Sequence, residues 1–124
     1  MFEQATVTPF LATTDLARAR SFFEGTLGLR VLSLDSFALL LATPGASLRV
    51  TLVQELVSAP YTVLGWNVAD VRETVAQLGA RGVVFNRYPG MEQDDVGIWA
   101  APSGSLIAWF SDLDGNVLSV SQHP

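Results

Sequence analysis

Apolar and polar positions along the chain follow two rhythms, a period of two and a period near 3.6, and the order in which they appear is repeated once. A β-prone run, Ala5 to Ala12, leads into Thr13-Thr14-Asp15, where Thr14 or Asp15 can accept a hydrogen bond from a free helical N–H and start a helix. Leu16, Ala19, Phe22, Phe23 and Leu27 then recur at helical spacing, and Gly25 and Gly28 supply the positive φ that ends the helix. Strand-like runs follow over 29–34, 36–42 and 46–53, broken at Asp35-Ser36 and at Thr43-Pro44-Gly45. The second half begins with a strand over 61–68. Asp70 and Glu73 resemble a capping box for a helix with Val71, Val75 and Leu78 on one side, closed by Gly79 and Gly82. Strands are predicted over 83–88, 97–101, 105–111 and 116–122, with a hairpin signal at Asp112-Leu113-Asp114-Gly115-Asn116.

The halves align. Asp15-Leu16 matches Asp70-Val71, and Gly45-Ala46-Ser47-Leu48 matches Gly115-Asn116-Val117-Leu118, with extra chain between Pro89 and Pro102 absorbing the difference in spacing. Such a duplicated order of strand, helix and three or more antiparallel strands is specific. A ferredoxin-like α+β sandwich would give a similar order without duplication, but it leaves the alignment unexplained. The expected organisation is one domain over 1–124, with a first module at 1–54, a linker at 55–60 and a second module at 61–124.

Composition narrows the chemistry. The chain has 124 residues, no Cys and no Lys, its seven basic residues all being Arg, and its single His is His123 beside the C-terminus. Thiol nucleophiles, disulfides, Cys-based zinc sites and Schiff-base lysines are excluded. A Ser-His-Asp triad or a His-rich metal cup is disfavoured, because the one imidazole sits where chains usually fray. A formal charge of −5 without a basic cluster argues against nucleic acid and suits a neutral or cationic small ligand. The longest apolar run, 37–42, is too short to span a bilayer, and Met1-Phe2-Glu3-Gln4 does not read as a signal peptide, so the expected location is cytoplasmic, without membrane contact.

Three motifs in order, Asp15 to Phe23 running on to Leu27-Gly28-Leu29, then Asp70-Val71 with Gly79-Ala80-Arg81-Gly82-Val83, then Asp112 to Leu118, resemble the vicinal oxygen chelate superfamily. That superfamily includes glyoxalase I, extradiol dioxygenases and bleomycin-resistance proteins, and its closing turn commonly reads D-P-D-G-N-x-x-E. The resemblance covers nearly the whole chain. It implies an α+β fold of two βαβββ modules whose mixed sheets curl into a cup with helices outside, and a homodimer. In the family's metal enzymes each module supplies one ligand from its first strand and one from its last. Those positions fall here on Thr8 and Val63, and on Arg49 and Ser119. Hydroxyls are weak neutral donors, Val has none, and Arg is a permanent cation, so no metal and no other cofactor is expected. Moving the register by one residue restores no ligand; the only remaining acidic candidates are Glu92, Asp94 and Asp95, in a stretch that reads as loop.

Strand alternation shows which residues share the concave face with those four positions. Phe10 and Ala12 go with Thr8; Ser47, Thr51 and Val53 with Arg49; Tyr61, Gly65 and Asn67 with Val63; Val117 and Ser121 with Ser119. Trp66 falls on the helix side. Trp99 and Trp109, on the hairpin 97–110, can wall the pocket, pack on each other or serve a subunit contact. The expected ligand-binding set is therefore Thr8, Phe10, Arg49, Thr51, Val63, Asn67, Trp99, Trp109, Ser119 and Ser121. Candidate catalytic groups are Arg49, which can hold an oxyanion or pair with a carboxylate; Tyr88, a general acid or a loop anchor; and Asp94 and Asp95, bases or a solvated turn. Two functions compete: a metal-independent protein that binds an aromatic or cationic small molecule, and a metal-independent lyase or isomerase moving a proton on a small carbonyl compound. A lactoylglutathione lyase is weaker chemically, since the metal that would polarise the substrate has no ligands.

Overall fold

In a computed structural model describing all of residues 1–124, the chain divides into two compact units, Met1–Val57 and Ser58–Pro124. The first contains β1 (Phe10–Thr13), α1 (Leu16–Arg20), β2 (Val31–Leu34), β3 (Ala38–Thr43) and β4 (Ala46–Leu52). The second contains β5 (Thr62–Asn67), α2 (Val71–Ala80), β6 (Trp99–Ala100), β7 (Leu106–Ser111) and β8 (Val117–Gln122). Each unit forms an open four-stranded mixed sheet, ordered β1-β4-β3-β2 and β5-β8-β7-β6, and in each the first strand runs parallel to the last. The duplication read from the motifs is thus a duplication of topology, strand for strand. No helix is long and apolar enough to cross a membrane.

Each unit has its own core. In the first, α1 packs on β3 and β4, where Leu39, Leu41, Leu48 and Val50 alternate inward and are fully buried. Asp15 caps α1, accepting from the Arg18 N–H at 3.0 Å. The helix then widens into a π-helical stretch, Ser21–Thr26, in which Leu27 N–H reaches back to the Phe22 carbonyl. That wider winding lets the consecutive Phe22 and Phe23 both enter the core, edge to face at 5.2 Å. Only Gly28, at φ 75°, has the positive φ expected of both glycines; Gly25 lies within the π-helical stretch. In the second unit α2 packs on β7 and β8, burying Val71, Val75 and Leu78 with Ala108, Phe110, Leu118 and Val120. Fully burying one such side chain is worth ~1.5–3 kcal/mol. Asp70 caps Glu73 N–H at 3.1 Å, but the expected capping box is half formed, because the Glu73 carboxylate accepts from Gln77 instead.

Several boundaries differ from the sequence reading. The first strand begins only after Pro9, which has no N–H to give a ladder, so Thr8 is outside it and exposed. Val83–Tyr88 is not a strand: its one backbone bond to β7 is Asn86 N–H to the Trp109 carbonyl, at 2.7 Å. Side chains occupy the segment instead, with Phe85 packed on Phe110 and Asn86 turned toward Ser111. β6 shrinks to two residues between Gly97, at φ 96°, and the Pro102–Gly104 turn. In the hairpin after β7, Asp112 accepts from Asp114 N–H, Asn116 N–H and the Asn116 amide. Burial pushes its carboxyl above the usual carboxylate range against the pull of those bonds. The Asp-Asn pair in the closing motif is therefore a device for building the turn.

Candidate functional site

The helix-free face of the second sheet carries the densest group of chemically distinctive side chains. Cross-strand pairing sets Trp109 beside Ser119 and Ser119 beside Gly65, and sets Trp99 beside Ile107, which in turn faces Ser121 and then Asn67. Trp109 packs edge to face on Tyr88 at 5.5 Å and lies 6.1 Å from Trp99 at 36°, forming a continuous aromatic wall. At one end of this wall is an open cleft of about 250 Å³ whose lining includes Tyr61, Thr62, Tyr88, Met91, Trp109 and Val117. Its lining is mostly apolar and aromatic, with Tyr61, Thr62 and Tyr88 as the hydroxyl-bearing residues, the usual composition of a small-molecule site.

The wall is held from behind by one side chain. Gln93 Oε1 accepts from Tyr88 N–H at 2.8 Å, while its Nε2 donates to the Asn86 and Gly97 carbonyls, both at 2.9 Å. All of its bonds go to backbone, so Gln93 closes the 86–97 loop much as a strand partner would and fixes where Tyr88 enters the cleft. Nothing in the alternation of apolar residues marks it; a lone Gln in a polar loop carries no periodic signal.

The anticipated site residues fall in different places. Trp109 and Tyr88 line the cleft, and Trp99 extends its wall. On β5 the register slips between Thr62 and Leu64, leaving Val63 as the extra residue, so Thr62, paired with Val117, takes the cleft-facing place expected of Val63. Ser119 is buried against Gly65, where a Cβ would fall 2.5 Å from the Ser119 Oγ. Ser121 and Asn67 bond each other at 3.0 Å at the far end of the face. There His123, expected to belong to a loose tail, is held in place: Ser105 Oγ lies 2.7 Å from Nδ1 and Ser121 Oγ 3.3 Å from Nε2.

In the first unit Phe10 pairs with Arg49, Ala12 with Thr51, and these positions share the sheet face away from α1. Phe10 is 59% exposed. Arg49 forms no ion pair, while Thr51 Oγ1 is buried without a partner. Asp35, with which Arg49 interacts through space, has its carboxyl held below the ordinary range chiefly by the Phe37 and Ala38 N–H groups. Of the acidic candidates of the second unit, Asp94 builds its loop. Asp94 Oδ1 accepts from Val96 N–H and Ile98 N–H, and Oδ2 pairs with Arg72 at 3.1 Å. Burial works against its ionisation, but those bonds prevail and keep its carboxyl below the usual value. Asp95 is exposed.

This architecture is that of the glyoxalase/bleomycin-resistance/dioxygenase fold. A glyoxalase family protein from Bacillus anthracis matches 100% of this chain with 98% of its own, at a TM-score of 0.76 and 14% identity. A glyoxalase/bleomycin resistance protein/dioxygenase from Alicyclobacillus acidocaldarius matches 97% of this chain with 92% of its own, at 0.70 and 16%. A lactoylglutathione lyase from Agrobacterium tumefaciens matches 96% with 93% of its own, at 0.71 and 19%. At these identities the likeness is one of fold. No protein-family model and no curated protein matches the sequence.

Metal enzymes of the superfamily that the sequence resembles would place their ligands at Thr8, Arg49, Val63 and Ser119. That donor set does not fit a divalent ion: one cation, one hydrocarbon and two neutral hydroxyls offer neither charge nor strong coordination. No group of three or more His, Cys, Asp or Glu side chains elsewhere could hold one either.

Proposed function

We propose that the protein is a metal-independent small-molecule-binding protein of the glyoxalase/bleomycin-resistance type, and that its ligand is a planar aromatic compound seated against Trp109 and Tyr88. The observation that carries this reading is the cleft of about 250 Å³ beside the Tyr88–Trp109–Trp99 wall. A flat ring can stack on or meet the edge of these side chains, each such contact adding ~0.5–1.5 kcal/mol to the gain from burial. The net charge of −5 favours neutral or cationic compounds over anions.

The competing proton-transfer enzyme needs a base free to take a proton near its substrate. Asp94 has both carboxylate oxygens engaged, and Asp95 is not among the residues lining the cleft. Sequestration is therefore the better-supported function. Incubation of chelator-treated protein with a bound aromatic compound, followed by mass analysis of the released compound, tests it. Recovery of unchanged compound is expected; steady conversion to an isomer or cleavage product would establish the enzyme instead.

A further inference from the structure

We infer that the phenol of Tyr88 is oriented to donate, so the ligand of this cleft presents a hydrogen-bond acceptor, such as a carbonyl oxygen, to it. The inference rests on the aromatic-cleft reading above and adds the chemical polarity of the ligand. The Asn86 amide reaches both the Tyr88 hydroxyl, at 3.3 Å, and the Ser111 hydroxyl, at 3.2 Å, and in both cases Nδ2 is the donor. Ser111 lies one strand position beyond Phe110 and shares its sheet face with Trp109, so the amide is clamped between the cleft and β7. Asn86 is itself fixed at both backbone groups, its N–H on the Trp109 carbonyl at 2.7 Å and its carbonyl on Gln93 Nε2 at 2.9 Å.

A phenol has one proton to give and lone pairs to receive. With the amide supplying a proton to its oxygen, Tyr88 retains its own proton, and no acceptor in the protein takes it. A ligand carbonyl placed against the Trp109–Tyr88 wall satisfies that proton. A ligand ammonium or hydrocarbon at the same place leaves it without a partner as the cleft loses water, which costs free energy. Tyr88 is thus a specificity-determining residue and Asn86 the residue that positions its proton. Replacing Asn86 by Asp reverses the polarity, since a carboxylate accepts and would draw the Tyr88 proton to itself.

Titration of the full chain with acetylnaphthalene and with isopropenylnaphthalene, its shape-matched analogue with CH₂ in place of the carbonyl oxygen, tests this through the Trp indole N–H resonances. Acetylnaphthalene should bind about tenfold more tightly, the ratio that one neutral hydrogen bond provides. Tyr88→Phe should bind both compounds with a ratio near one, and Asn86→Asp should also lose the preference while keeping the isopropenyl compound. Equal binding of the two by the unaltered protein, or a preference that survives Tyr88→Phe, would overturn the inference and leave the cleft reading standing. Binding of neither would overturn the cleft reading and the inference with it.

Discussion

Trp109 links the parts of the proposed site: it packs on Tyr88, lies beside Trp99, lines the cleft, and its carbonyl accepts the Asn86 N–H. Trp109→Ala should therefore destabilise the protein by about 2–3 kcal/mol, below the range for a fully buried aromatic because the ring is half-buried, and should abolish aromatic ligand binding. Denaturant unfolding together with a ligand titration checks both; retained binding would move the site elsewhere. At the opposite end of the same face, His123→Ala removes bonds to Ser105 and Ser121. Amide hydrogen exchange should then quicken at the end of β8 while the cleft end of the sheet is unaffected. Residues of this kind were unevenly legible. Alternation grouped Ser119 with Val117 and Ser121 but left the place of Trp109 open, and it could not find the bulge at Val63, since register depends on the partner strand. Nor could composition reveal that the lone imidazole is tethered, because its partners Ser105 and Ser121 are common residues with no motif.

Among the elements, the loop from Asn86 to Gly97 departs furthest from its expected form, and it is also the one the site depends on. Val83–Tyr88 has the apolar content of a strand, yet side-chain partners of Phe85 and Asn86 and the Gln93 bonds replace the ladder. Gln93→Ala, which removes three hydrogen bonds, should cost about 1–3 kcal/mol and weaken ligand binding without changing the core of the sheet. Thermal unfolding and near-ultraviolet circular dichroism of the Trp wall would show it; an unchanged near-ultraviolet spectrum would contradict Gln93 as the latch. Asp94 gives the loop a pH dependence of known sign. Its folded carboxyl ionises below its ordinary value of 3.8, so its stabilisation is complete above about pH 4 and is lost as pH falls through the lower, folded value. The stability gap between the unaltered protein and Asp94→Ala should be widest near neutrality and close in strong acid; a gap that grew on acidification would reverse the assignment. Helices were read more faithfully than this loop, because their caps at Asp15 and Asp70 are local chemistry contained in a few consecutive residues.

For the whole molecule, the duplicated strand order is the strongest agreement between sequence and structure, because two aligned motif sets imply two like units before any contact is known. The cleft was not legible in the same way. It is assembled from residues 60–62, 88, 91, 109 and 117, which only the fold brings together. Two proposals apply at this scale. The chain should be a homodimer, with exposed Phe2, Phe37 and Val57 among the surfaces available to a second copy; light scattering at micromolar concentration giving the mass of a single 13.3 kDa chain would contradict it. The protein should also bind its ligand without a metal, because Thr8, Arg49, Val63 and Ser119, the positions that the resemblance implies for metal ligands, offer no strong donor. The most direct test of that central claim is a titration with acetylnaphthalene followed at the Trp109 indole N–H, run in a chelator and again with added nickel or zinc. Saturable shifts with the same affinity in both conditions are predicted; binding that appears only when the metal is supplied would contradict the account.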